Sequence, residues 1–184
     1  MLTRLLVALA ALALSGCVVS LEPAYSDGDK EFDAALVGTW KAVDAAESWN
    51  CRKSDERGYR ATYTDERRRK GEFSVQLLTI DGKRFLDFFP VGTSTATNAL
   101  YADHWIPAHT FAEVLATRPG LRLAILDQYW LEKRLAENPA ELAHRIVGGN
   151  VVIVASTADV RAFLSAHTDT PGAFRSTAEL RKTS

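Results

Sequence analysis

Residues 72–89, EFSVQLLTIDGKRFLDFF, decide the fold. Phe73, Val75 and Leu77 alternate with polar neighbours, the period-2 pattern of a half-buried strand. Leu78 and Ile80 then switch face, which predicts either a bulge or a strand end covered on both sides. Asp81-Gly82 is a two-residue hairpin turn, since its residue types tolerate the positive φ that such turns need. The return strand, Lys83 to Val91, carries Phe85, Leu86, Phe88 and Phe89, and Pro90 places its end at an edge or bulge. Asp87 shares a face with Phe85 and Phe89. Two long strands joined by a tight turn make this an antiparallel protein at its centre.

Working outward, the same signals recur. Tyr59, Ala61 and Tyr63 share one face of a strand over 59–65, and Glu66 to Gly71 is a charged turn. Residues 47–58 read as a polar loop containing Cys51, and the first strand opens at Gly38-Thr39-Trp40. Downstream, Gly92 to Thr97 is a polar loop, and strands are expected on either side of Pro107 within 101–116. Arg118-Pro119-Gly120 turns the chain into an alternating strand over 121–126. The period then changes. Asp127 caps a helix running to Ala136, Asn138-Pro139 starts a second that ends near Arg145, and Val151 to Val154 is a buried strand. Ser156 with Asp159 opens a helix to His167, and Ser176 with Glu179 caps a last turn. The expectation is a mainly β fold with added α: an up-and-down antiparallel barrel or sandwich of about eight strands. Two helices precede its last strand and one follows it.

The N-terminus adds an address. Arg4 precedes an apolar run of ten residues, Leu5 to Leu14, well short of the roughly 20 needed to cross a bilayer as a helix. Leu14-Ser15-Gly16-Cys17 follows, and the whole resembles a bacterial lipoprotein signal peptide ending in its lipobox. That resemblance implies cleavage between Gly16 and Cys17 and acylation of Cys17, which becomes the link to membrane lipid. With Val18 rather than Asp next, it also implies a place in the outer membrane, facing the periplasm. The organisation expected is a signal peptide over 1–16, a lipidated flexible tether over 17–33, and one domain over 34–184. Cys51, the only other cysteine, is then left without a partner, as a reactive thiol or an inert buried one.

Gly38-Thr39-Trp40 resembles the Gly-x-Trp signature of the calycin superfamily, which includes the lipocalins. The resemblance implies a Trp40 that closes the barrel floor and packs against a basic residue late in the chain. The helix from Thr157 to Ala166 is similar to the lipocalin C-terminal helix. There is no second lipocalin motif, and extra helices interrupt the strand series. The chain also resembles bacterial exported proteins that combine such an opening with a late Val-Val-Ile-Val-Ala-Ser-Thr stretch, a likeness that implies no activity.

A formal charge of −1 gives no electrostatic basis for nucleic-acid binding or for attraction to anionic lipid, so anchoring falls to the acyl chains. His104, His109, His144 and His167 show no i, i+4 pairing and no cysteine set beside them, so no metal and no cofactor is expected. No nucleophile elbow or phosphate loop is present, and the chain is read as non-enzymatic. Trp40, Tyr63, Phe73, Phe85, Phe88, Phe89, Trp105 and Phe111 either line a cavity for an apolar small molecule or fill the barrel. Three functions remain open: an envelope accessory or apolar-ligand binder, a periplasmic hydrolase using Asp87, Asp103 and His104, and a scaffold for envelope proteins.

Overall fold

A computed structural model describes residues 18–43, 45–54, 57–92 and 106–183. Eight antiparallel strands close into a barrel. In order around it these are β11 (Ser176–Lys182), β2 (Gly38–Ala42), β3 (Ser48–Lys53), β4 (Gly58–Thr64), β5 (Lys70–Ile80), β6 (Lys83–Pro90), β7 (Thr110–Ala116) and β8 (Leu121–Ile125). Outside it lie two helices, α1 (Gln128–Glu137) and α2 (Thr157–His167). A three-stranded sheet, ordered β1 (Val19–Ser20), β10 (Asn150–Ile153), β9 (His144–Val147), joins them.

The central hairpin forms as expected. β5 and β6 pair without a break from Phe73↔Pro90 to Ile80↔Lys83, so the change of face at Leu78 involves no bulge. Asp81 (φ 48°) and Gly82 (φ 78°) make the turn with the positive φ pair that matches strand twist. The face change has another cause. Val75 and Leu77 point into the barrel with Trp40, Tyr59 and Leu86, whereas Leu78 and Ile80 point outward into a second core. That second core packs Phe85 and Phe111 of the barrel wall against Leu131 and Leu135 of α1, Val160 and Leu164 of α2, and Val151 and Ile153 of β10. Each fully buried side chain of this kind contributes about 1.5–3 kcal/mol. β5 is therefore covered on both faces, and its apolar run is nearly continuous there.

Four expectations are corrected. Residues 48–53 are a strand, not part of a polar loop: Trp49 and Cys51 pack against the barrel core and β3 pairs along its whole length with β4. Residues 138–145 do not form a helix. Glu141 N–H donates to Asn138 O in a tight turn, and 144–147 pair with β10 across Gly148-Gly149 (φ 57° and 84°), so a hairpin prevails over the cap signal. Residues 176–182 form a strand rather than a helical turn, because β2 and β8 each present an unpaired edge and β11 satisfies both ladders. Among the described residues one α-helix, not two, precedes the strand over 150–153, and the barrel's last strand is β11.

The fourth correction concerns residues 18–33, expected as a flexible spacer. Val18 and Ala24 are buried, β1 pairs with β10, and Ser20 exchanges two backbone hydrogen bonds with His109. Glu31 N–H donates to Leu77 O, and Asp33 forms an ion pair with Arg84 at 2.9 Å. From Val18 onward the chain is part of the packed domain. Low apolar periodicity conceals this packing in the sequence, because the segment is held through backbone bonds and single side chains.

Candidate functional site

The two ends of the barrel differ. At one end the chain arrives through a short 3-10 turn, Ala34–Leu36, whose Ala35 N–H donates to the capping Asp33 carboxylate. Trp40 is buried there; its indole N–H donates to Leu36 O at 3.0 Å, and the Lys182 ammonium lies 5.3 Å from the ring centroid. Tyr59 is fully buried beneath the same turn, its hydroxyl donating to Asp33 O at 3.1 Å and accepting from Asp33 N–H. Burial pushes its phenol up to about 12, so it is a neutral donor at any physiological pH. This end is closed by protein.

The other end receives the β2–β3 and β4–β5 turns and the ends of β6 and β7. Trp49, the cross-strand partner of Trp40, directs its ring toward this end, 4.8 Å from Tyr63, 5.6 Å from Phe73 and 5.4 Å from Phe88. Register explains the grouping: Trp49 pairs with Tyr63, and Val75, two residues from Phe73 on the same face, pairs with Phe88. All four aromatics are only partly buried, at the mouth of an apolar interior. Burial raises the Tyr63 phenol well above its ordinary value, and its hydrogen bond to Glu47 adds to the shift. Four aromatic rings thus pack together beside a neutral hydroxyl, each with part of its surface exposed. Aromatic sets of this kind stack on planar or apolar groups.

The expected cavity-lining residues do not share one compartment. Trp40 and Phe73 belong to the interior and Tyr63 packs on Trp49 beside it, whereas Phe85 and Phe111 lie in the outer core and Phe89 packs on His109 outside the barrel. Strand parity causes the split: on β6, Leu86 and Phe88 point in, so Phe85, Asp87 and Phe89 point out. Trp105 lies outside the described residues, as do Asp103 and His104 of the hydrolase reading and Gly16 and Cys17 of the lipobox. Trp49 is the member of the aromatic cluster that the loop expected over 47–58 hides, whereas Phe88 is one of the aromatic residues expected to line or fill the barrel. Alternation of Trp49 and Cys51 with Asn50 and Arg52 was the available signal for β3, and Phe88 shares the parity of Leu86.

Asp87 is buried in the outer layer. One carboxylate oxygen accepts from Ala24 N–H at 2.8 Å, and the other lies 2.6 Å from Nδ1 of His109, itself buried between Phe89 and Tyr25. Both oxygens are engaged, and the pair clasps the N-terminal segment to the barrel. A second polar cluster joins the added elements. Arg134 of α1 grips Glu141 through two bonds of 2.6 and 2.8 Å, and Glu141 reaches Nε2 of His167 on α2 at 2.8 Å. Chiefly the Arg134 hydrogen bonds hold the Glu141 carboxyl below the usual range. A shallow cleft of about 190 Å³ runs beside it, lined by Glu141, Asp159, Phe163 and His167. Asp159 is engaged with Ser156, so the cleft's carboxylates serve capping and clamping.

Cys51 faces the interior as a free thiol, and burial pushes it up to about 11, a poor nucleophile at neutral pH. Among the described residues no three His, Cys, Asp or Glu side chains gather into a metal-binding set. Compared with known proteins, the chain matches no protein-family model, no curated protein and no solved structure.

Proposed function

We propose that this is an acylated, non-enzymatic lipoprotein of the bacterial outer membrane, facing the periplasm, whose barrel mouth holds an apolar group of a small molecule. The observation that carries the ligand half is the partly buried cluster of Trp49, Tyr63, Phe73 and Phe88 beside the apolar interior. Depth is not needed for such a site. An aromatic rim can hold one ring or acyl segment while the ligand's polar end stays in water. The lipobox Leu14-Ser15-Gly16-Cys17 carries the membrane half. A calycin-like ancestry is supported by the closed end, where Trp40 of the Gly-x-Trp triplet lies against Lys182, a basic residue late in the chain.

The test uses full-length protein processed in a bacterium and gently extracted. Native mass spectrometry looks for a co-purifying small molecule, and an apolar naphthylamine probe is titrated onto wild type and Trp49→Ala. Binding that falls at least about tenfold in the variant, a loss of roughly 1.4 kcal/mol, supports the mouth as the site. A ligand-free protein whose weak probe binding is the same in both would end the ligand reading.

A further inference from the structure

The packing of residues 18–33 changes what an anchor at Cys17 would do. With a spacer, the domain would wander above the membrane. Here Val18 is already buried in the outer core, and consecutive α-carbons are about 3.8 Å apart. An acylated Cys17 therefore brings the lipid surface to the edge of the folded domain. The element at that edge is the three-stranded sheet, since β1 begins one residue later and runs parallel to β10 from Val19↔Val152.

That sheet has one face in the core and one in solvent. Val151 and Ile153 point inward. Register places Val19, Val152 and Val147 together on the opposite face, with Arg145 opposite Val152 and Asn150 opposite Val147. Leu21 extends the row, its N–H still bonded to Ile153 O. This solvent face is thus largely apolar: Val147 is 59% exposed and Leu21 40%. A water-facing sheet surface ordinarily alternates to polar residues. The β9–β10 tip is Gly148-Gly149, with no side chain to obstruct approach to a surface. Beside it, Gln128 at the start of α1 donates to Asn150 Oδ1 at 3.0 Å, and the adjacent Tyr129 is 71% exposed. A tyrosine and an arginine flanking an apolar patch suit the headgroup level of a bilayer.

We propose that the solvent face of the β1–β10–β9 sheet, with its Gly148-Gly149 tip and Tyr129, docks flush onto the bilayer that holds the acyl chains of Cys17. The anchor then fixes orientation as well as location. This rests on the lipoprotein reading above.

The experiment separates the two. Val147→Cys, and Arg52→Cys on β3 at the far side of the barrel, are each spin-labelled in a Cys51→Ser background. Full-length processed protein is reconstituted in vesicles of phosphatidylethanolamine and phosphatidylglycerol, and acylation of Cys17 is checked by mass spectrometry on the same sample. The expected result is an acylated protein whose label at 147 gains oxygen collisions and loses collisions with a water-soluble nickel chelate, while the label at 52 stays water-exposed. Acylated protein with both labels equally open to the chelate overturns the docking and leaves the lipoprotein reading standing. A label at 147 shielded from both reagents, with spin–spin broadening, also overturns it, in favour of a second copy on this face. An unmodified Cys17 overturns both.

Discussion

Replacing Asp87 by Ala tests whether the N-terminal segment is clasped to the barrel as the geometry indicates. Asp87 is 1% exposed, and its carboxylate is the acceptor for Ala24 N–H at 2.8 Å and the partner of His109 Nδ1 at 2.6 Å. Truncation leaves one backbone donor and one ring nitrogen buried without that acceptor. Each orphaned group costs about 1–3 kcal/mol, so the expected destabilisation is about 2–6 kcal/mol. Asp87→Asn keeps the shape and one acceptor oxygen and should lose about 1.5–3 kcal/mol, the share of a hydrogen bond to a charged group. Urea unfolding measures both values. Hydrogen exchange locates them: amides of residues 20–24 should lose protection well beyond those of β5, since Ser20 pairs with His109 and Ala24 with Asp87 directly. A double-mutant cycle with His109→Ala should give a coupling energy above about 0.5 kcal/mol, as expected for residues in contact. A stability change within about 0.5 kcal/mol for Asp87→Ala, or exchange that rises uniformly through the barrel, would refute the clasp.

Two further outcomes follow from single groups. Glu141 has its carboxyl pKa lowered in the folded protein, chiefly by Arg134, so its contribution to stability is present above the unfolded value near 4.3 and is lost as pH falls through the folded value. Glu141→Gln should therefore lower the urea midpoint at pH 7 and match wild type once the carboxyl is protonated; an equal deficit at both pH values would show the loss to be packing. Cys51, with its thiol pushed up to about 11, should react with a disulfide reagent at pH 7 far more slowly in native protein than in urea, where the value returns to about 8.5. Equal rates in the two states would place the thiol in solvent rather than against the barrel core.

How much was legible follows the range of the interactions. Alternation at Phe73, Val75 and Leu77, the Asp81-Gly82 turn and the caps at Asp127 and Ser156 are local devices, and each element formed where they indicated. Tertiary context decided the rest. Residues 176–182 became a strand because two open edges had to be paired, which no local signal records. Two cores on opposite faces of β5 and β6 divided the aromatic residues, sending Phe85 and Phe111 outward and keeping Phe73 within. The partner of Asp87 lies 22 residues away, and Ala24 63 residues away, so sequence alone identified the carboxylate and not the clasp. By itself the sequence determined an antiparallel fold, because turns and alternation act between neighbours. Only the tertiary structure decided which faces were buried and that no slack separates Val18 from the domain, because burial is a property of the assembled chain.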